Sequence, residues 1–310
     1  MLIPLRDNLF RLDTPFLGLP LSLYVITGDR TILIDSGINS TPSEFIFPAL
    51  DAANLTPDLL ICTHGHIDHF GGNAALRVRY PAMKIAIHEQ DAAWAEDHKR
   101  HFYEMYMCMP HTWQENDPEG FLELCGGNSA IDVHLIDDQE LELGAFRFRT
   151  IQTGGHCPGH ISLFDPKEGV AICGDVALGW GALAPGAPKI NPYYYDVDQY
   201  VNGLEAIGLL EADLFCTGHS GALDRAEMAE LIAHSKNFVE TLANWTMDAV
   251  NTKAPQGLGS IARQVLNQLD GYEIGFHLHA SVQAHLTKFC REGSIASVMV
   301  DGQKAYIGGA

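Results

Sequence analysis

The stretch Thr63-His64-Gly65-His66-Ile67-Asp68-His69 decides how the rest of this 310-residue chain is interpreted. It places three imidazoles and one carboxylate within six residues. The run before it, 58–63, is apolar at most positions and predicts a buried strand, so the loop that carries these side chains is anchored at its start. Neutral imidazole and carboxylate are ligands that suit zinc, iron and manganese. The sequence therefore predicts a metal site at this loop.

Three later residues of ligand type stand in a similar setting. His156, Asp175 and His219 each follow an apolar run and at least one glycine. Strands of one sheet system can end at the same edge, so these side chains are expected to converge on the first cluster. One such residue alone would more often be an ordinary loop residue, but three in the same arrangement indicate a shared site.

The charge of the chain favours a small-molecule substrate. Its formal net charge is −20, from 39 acidic and 19 basic residues. A surface this negative repels nucleic-acid phosphates and anionic lipids, so we expect neither nucleic acid nor membrane as a partner. No apolar run approaches the roughly 20 residues that span a bilayer. The first residues do not resemble a signal peptide, and a cytoplasmic location is expected.

The cysteines are expected to be structural. The chain has seven, an odd number that cannot all pair within it. Cys62, Cys157, Cys173 and Cys216 lie in or beside apolar runs, which predicts buried, reduced thiols that pack as small hydrophobic groups.

The pattern of elements predicts an α+β protein with two sheets packed face to face and helices outside them. Residues 1–223 form the predicted catalytic domain, with a helical insertion near 90–127. This insertion is either a surface helix or a cap on a substrate pocket. Residues 224–310 are predicted to be mainly helical, with helices over 224–250, 257–269 and 281–291, and to cover the active site. A final pair of strands, within 295–307, offers an edge for a homodimer.

Four segments resemble the metallo-β-lactamase superfamily, and they occur in the order typical of that family. The resemblance runs over residues 20–220. The segments are Thr63-His64-Gly65-His66-Ile67-Asp68-His69, Gly155-His156-Cys157-Pro158-Gly159-His160, Gly174-Asp175-Val176 and Gly218-His219-Ser220.

This resemblance implies an αββα sandwich with a C-terminal helical extension, and two divalent metal ions at one edge of the sheets. Zinc is the first expectation, with iron or manganese as alternatives. The implied ligands are His64, His66 and His156 for the first ion, Asp68, His69 and His219 for the second, and Asp175 for both. Asp35 is implied to orient a histidine ligand, and His160 to support the site without binding metal.

The implied reaction is hydrolysis by a hydroxide shared between two ions, with Asp68 passing a proton to the leaving group. The helical C-terminal region resembles glyoxalase II-like thioesterases and the plan of the quinolone-signal response thioesterase. A thioester is therefore the first expected substrate and a lactone the alternative. A third possibility is a regulatory or ligand-binding protein whose hydrolysis is incidental.

Two short segments are candidates for the substrate pocket. Tyr193-Tyr194-Tyr195 could present a phenol to a lactone carbonyl, with Tyr194→Phe as the diagnostic substitution. His277 and His279 could face the pocket from the C-terminal region, although local packing is the more common role for such residues.

Overall fold

A computed structural model describes residues 1–106, 118–182, 186–251 and 254–309, and its strands form three sheets. The strands of the first sheet are β1 Ile3–Arg6, β2 Leu9–Phe16, β3 Leu19–Ile26, β4 Ile32–Ile34, β5 Leu59–Ile61, β6 Lys84–His88 and β7 Val133–Leu135. Those of the second are β8 Glu140–Leu143, β9 Phe146–Gln152, β10 Ile161–Asp165, β11 Val170–Gly174, β12 Leu214–Thr217 and β13 Ala222–Leu223. The small third sheet contains β14 Gln256–Gly257, β15 Ile295–Val300 and β16 Gln303–Gly308.

The helices follow the order of the chain around these sheets. They are α1 Phe47–Ala53, α2 Ile67–Phe70, α3 Asn73–Arg79, α4 Glu89–Glu96, α5 His98–His101, α6 Pro118–Cys125, α7 Val197–Gly208, α8 Arg225–Val250, α9 Leu258–Leu266 and α10 Phe276–Arg291. A π-helical turn, Pro42–Ile46, leads into α1, and another, Phe102–Tyr106, follows α5.

Alternation along the strands shows why two sheets pack together with helices on both outer faces. Side chains of a strand point alternately to opposite faces of the sheet. In β4, Ile32 and Ile34 enter the core between the sheets, whereas Leu33 packs outward with α1. In β11, Ile172 enters the same central core, and Ala171 packs outward with the later helices. Both faces of these strands are buried, which confirms the predicted α+β fold with αββα layers.

Strand direction brings the predicted ligand residues to one edge. In the first sheet, β4, β5 and β6 are parallel, and β5 ends just before His64. In the second sheet, β11 and β12 are parallel, and β9 runs the same way because it is antiparallel to β10, which is antiparallel to β11. Their carboxyl ends lead to His156, Asp175 and His219.

The C-terminal helices share a hydrophobic core with the second sheet. Phe215 of β12, Phe238 of α8 and Leu286 of α10 belong to one cluster of buried side chains. The described residues of 224–310 therefore pack as an outer layer of the sandwich. One hydrophobic core contains side chains from both 1–223 and 224–310.

The start of α10 differs from the prediction. The helix begins at Phe276, whereas the predicted start was residue 281. Its N-cap is Gly275, which adopts an extended conformation. The sequence did not indicate this start because glycine has no side chain that could cap the helix. His277 and His279 therefore lie in its first turn. Two residues apart on a helix, they point to nearly opposite sides.

The insertion between β6 and β7 both packs and lines a pocket. Phe102 and Phe121 join the core outside the first sheet, and Phe121 also faces the cavity above the ligand residues. The described part of the insertion therefore packs on the first sheet and also forms part of the cavity wall. Residues 107–117 of the predicted insertion lie outside the described residues.

No helix within the described ranges has both the length and the apolar character needed to cross a membrane.

Candidate metal centre

All seven predicted ligand residues meet at the shared edge of the two sheets. His64 and His66 lie on the turn after β5, and Asp68 and His69 lie on the single turn of α2. The other three follow β9, β11 and β12. Buried or nearly buried ligand atoms form three groups, and the atoms inside each group lie within 4.8 Å of one another: His64, His66 and Cys157; His64, His156 and Asp175; and Asp68, His69 and His219.

Asp175 occupies the centre of the cluster. Its Oδ2 atom lies 3.4 Å from His69 Nε2, 3.7 Å from His156 Nε2 and 3.1 Å from His219 Nε2. Asp68 Oδ2 approaches the same side, at 3.5 Å from His69 Nε2 and 3.3 Å from His219 Nε2. Asp175 thus approaches His156, which the resemblance implies for the first ion, and also His69 and His219, which it implies for the second. This position is the one expected of a bridging carboxylate.

The first histidine group is packed ring against ring. His64 Nε2 lies 3.0 Å from His66 Nδ1. The ring centroid of His156 lies 4.9 Å from that of His64 and 4.4 Å from that of His66. These three imidazoles are buried, and the resemblance implies that they hold one ion.

Hydrogen bonds from the far side fix the orientation of the imidazoles. His69 Nδ1 lies 2.8 Å from Asp35 Oδ2, as the resemblance implied. His156 Nδ1 lies 2.8 Å from the carbonyl oxygen of Tyr193, and His219 Nδ1 lies 2.7 Å from that of Pro20. Because each Nδ1 atom is engaged, each Nε2 atom is left to face the cluster.

His160 supports the cluster without joining it. Its Nε2 atom accepts a hydrogen bond from the backbone N–H of Asp175 at 2.9 Å, and its Nδ1 atom lies 2.9 Å from Thr153 Oγ1. Both ring nitrogens are thus occupied, in agreement with the implied supporting role.

The cluster fits a divalent metal. His66 Nε2, His69 Nε2, His156 Nε2 and Asp175 Oδ1 are buried and have no hydrogen-bond partner among the described residues. Such atoms are rare in folded proteins, because an unpaired buried polar atom costs free energy. Cations bound between the imidazoles and carboxylates would compensate for this cost, and nitrogen and oxygen donors of this kind suit zinc, iron or manganese.

The charges of the cluster also fit cations. Burial, together with the neighbouring imidazoles, lowers the pKa of His64 well below its ordinary value, so its ring stays neutral and keeps a lone pair. Burial opposes charge on His69 as well, but the carboxylates of Asp68, Asp35 and Asp175 outweigh it and raise the pKa of His69. Protons held by such histidines would be released when a metal binds.

Asp91, which the sequence did not single out, joins the two ligand loops. This fully buried residue of α4 accepts hydrogen bonds from the backbone N–H of Gly65 at 2.8 Å and of Gly159 at 2.7 Å. A Cβ atom at Gly159 would lie 2.8 Å from Asp91 Cγ, so the loop requires glycine there. Burial raises the pKa of Asp91 to about 7, although both N–H donors act to lower it. An isolated acidic residue on a helix offered no sequence signal for this contact.

Cys157 lies beside the first histidine group, and its Sγ atom is among the grouped atoms with His64 and His66. Burial raises the pKa of its thiol well above the ordinary value. Cys62, Cys125, Cys157, Cys173, Cys216 and Cys290 are free thiols. The first five are buried, which confirms the prediction for the four named in the sequence.

A cavity of about 570 Å³ opens above the cluster. Tyr193 and His277 line it, whereas Tyr194 and His279 do not. Tyr194 is fully buried, and its hydroxyl oxygen lies 2.8 Å from His285 Nε2. Tyr194 was therefore the wrong choice for a phenol at the site, and the neighbouring Tyr193 lines the cavity instead. Burial lowers the pKa of His277 to about 4, which keeps its ring neutral at pH 7.

Comparisons with known proteins show what the chain is similar to. A family model described as the Metallo-beta-lactamase superfamily matches residues 17–219. Hydroxyacylglutathione hydrolase of Serratia proteamaculans is 24% identical over 68% of this chain and 65% of its own length. Hydroxyacylglutathione hydrolase GloC of Haemophilus influenzae is 28% identical over 45% of this chain and 58% of its own length. The chain thus spans less than two thirds of both of these relatives.

Solved structures share the whole fold. A metallo-beta-lactamase family protein from Thermus thermophilus has a TM-score of 0.74 and 19% sequence identity, covering 98% of this chain and 100% of that one. A beta-lactamase domain protein from Burkholderia ambifaria has a TM-score of 0.79 and 17% identity, covering 99% of this chain and 94% of that one. At such identities the likeness extends to the fold alone.

Asp91→Asn should loosen the metal centre. An amide offers one acceptor oxygen, so its NH2 group would face one of the two backbone N–H donors. We expect metal affinity to fall by about tenfold or more and the free energy of unfolding to fall by about 1–3 kcal/mol. Competition with a chromophoric chelator and urea denaturation measure the two effects. Glu89→Gln removes the same charge from an exposed position two residues away and serves as the control. Unchanged metal affinity in Asp91→Asn would show that the two loops do not depend on this carboxylate.

Proposed function

Because the chain belongs to the metallo-beta-lactamase superfamily, we propose that it is a binuclear metal-dependent hydrolase that cleaves an ester-type bond, with a thioester as the first candidate. The observation that carries this proposal is the cluster of seven ligand-type side chains below a cavity, six of them buried and His219 half-buried.

The proposed ligand set is the one that the resemblance implies, and two of the three groups of ligand atoms support it. The first ion would be held by His64, His66 and His156, the second by Asp68, His69 and His219, and Asp175 would contact both. Zinc is the first candidate for both sites, with iron or manganese as alternatives, because imidazole and carboxylate ligands suit these metals. Divalent ions held in this way lower the pKa of a water molecule and polarise a substrate carbonyl.

The residues of the chain would then act by position and charge. Asp68 lines the cavity, and although burial opposes its ionisation, His69 and His219 hold its pKa well below the usual range. An ionised carboxylate at this point can receive a proton and return it to the leaving group. Asp35 would hold the ring of His69 in position, and His160 would hold the backbone of Asp175 in position, each through a hydrogen bond.

The choice of a thioester is supported by the relatives named hydroxyacylglutathione hydrolase, since the substrate in that name is a thioester. A lactone is the second candidate. It is favoured by Tyr193, whose ring centroid lies 5.2 Å from that of His66 and 5.4 Å from that of His156. A phenol there could donate a hydrogen bond to a carbonyl oxygen bound between the metals and the cavity wall.

Removal of one proposed ligand should change both metal content and activity. We expect His66→Ala to bind about one ion per chain instead of about two, and to lose at least about 10²-fold in kcat/KM. Metal content is measured by mass spectrometry after gel filtration. Activity is measured on a panel of acyl thioesters, lactones and phosphodiesters.

The control for this experiment is His134→Ala, which removes an exposed histidine of β7 and should keep both ions. Turnover of phosphodiesters alone would contradict an ester-type substrate, and a full metal complement in His66→Ala would contradict the ligand assignment.

Tyr193→Phe should separate the two substrate classes. If a lactone is the substrate, loss of the phenol removes a hydrogen bond to the carbonyl, and kcat should fall by about 10²-fold with metal content unchanged. Tyr194→Phe is the matched control, because its hydroxyl contacts His285 in the core, and it should affect stability rather than turnover. Equal activity of wild type and Tyr193→Phe on lactones would remove the observation that favours this candidate.

A further inference from the structure

The cavity above the metal centre has a mostly apolar wall. Its apolar side chains come from the β2–β3 hairpin, from α6 and from the segment that follows β11. They include Phe16, Leu19, Phe121, Leu124, Leu178 and Ile190. At about 570 Å³, the space falls within the range of cavities that enclose small-molecule ligands.

No lysine or arginine lines this wall among the described residues. Its acidic side chains are Asp68 and Asp175 at the base and Glu273. Segments 107–117 and 183–185, which lie outside the described residues and are close in sequence to Met105 and Ala182 of the wall, also contain neither residue. An anionic group placed against this wall would lose hydration without gaining a cationic partner, which is costly.

One polar side chain of the wall is already engaged within the protein, and stacked rings extend the apolar surface. The amide of Asn191 already donates to the carbonyl oxygen of Pro192 at 2.9 Å and to Ser281 Oγ at 3.3 Å. Tyr193 and Phe276 stack, with ring centroids 5.2 Å apart, so the aromatic surface continues from the cavity into the first turn of α10. Each methylene group buried on such surfaces contributes about 0.8 kcal/mol.

From this wall we infer that the acyl part of the substrate is an uncharged hydrocarbon chain of medium length, bound along the apolar side chains with its carbonyl at the metal centre. The inference rests on the proposed function, since it assumes that an acyl bond is cleaved there. In the hydrolysis, the oxygen of water bonds to the acyl carbon, the C–S bond breaks, and the sulfur leaves as a thiol after taking a proton. The products are a carboxylic acid and a thiol.

Acyl thioesters of N-acetylcysteamine, an uncharged thiol, test this inference with the metal-loaded full chain. From acetyl through butyryl to octanoyl, kcat/KM should rise roughly fourfold per methylene group until the cavity is filled. The suberoyl thioester has the length of the octanoyl one but ends in a carboxylate, and it should be at least about tenfold poorer.

A substituted wall should change this preference. Leu178 is half-buried in the wall, and Leu178→Lys introduces a cation there. We expect octanoyl turnover to fall and the suberoyl to octanoyl ratio to rise by at least about tenfold. Leu209→Lys makes the same change at a residue that is 83% exposed and absent from the cavity wall, and should leave the ratio unchanged. Circular dichroism and metal content show whether each variant is folded.

Binding provides a readout that does not depend on catalysis. The S-octyl and S-ethyl thioethers of N-acetylcysteamine lack the scissile carbonyl and can be titrated by calorimetry. The octyl compound should bind at least about 10²-fold more tightly, with a negative heat-capacity change.

The outcomes separate the two proposals. Preference for acetyl or suberoyl over octanoyl would overturn the acyl-chain inference and leave the hydrolase proposal standing. Binding of the octyl thioether without turnover of any thioester, ester or lactone would overturn the hydrolase and leave the apolar binding site. Equal binding of the octyl and ethyl thioethers would overturn the acyl-chain inference.

Discussion

The crowding of buried ring nitrogens and carboxylate oxygens at the metal centre is the constraint on which the rest of this structure depends. His64 and His66 bring ring nitrogens within 3.0 Å of each other, and Asp175 lies within 3.7 Å of three further imidazoles. The lone pairs of such nitrogen and oxygen atoms repel one another unless protons or cations lie between them. Burial removes the water that would otherwise separate these atoms. The outer hydrogen bonds, from His69 Nδ1 to the carboxylate of Asp35 and from the backbone N–H of Asp175 to His160 Nε2, hold this unfavourable arrangement in place.

The architecture supplies what the crowding requires. Strands buried on both faces hold the ligand loops rigidly, and their common direction places the loops at one edge. The helical layer on the second sheet then contributes the first turn of α10, which brings His277 to the cavity. The same cavity is apolar above the ligands, so a single site combines a strongly polar base with a wall suited to carbon chains.

Local sequence patterns were enough to predict that these seven residues come together, because each lies shortly after a short apolar strand. The order of strand-like and helical segments also predicted two packed sheets with helices outside them, and the cores on both faces of β4 and β11 confirm this. Contacts made by residues distant in sequence were not accessible in this way. Asp91 binds loops 26 and 68 residues away through backbone N–H groups. Tyr193 and Tyr194 look alike in sequence, and only their packing shows which one faces the cavity. Gly275 gave no capping signal, so the start of α10 was placed too late.

Anomalous scattering from crystals of the metal-loaded protein, recorded on both sides of the metal absorption edge, tests the central claim most directly. We expect two peaks roughly 3.5–4 Å apart, one ligated by His64, His66 and His156 and the other by Asp68, His69 and His219, with Asp175 in contact with both. A single peak, or ions bound away from these residues, would contradict the binuclear centre proposed here.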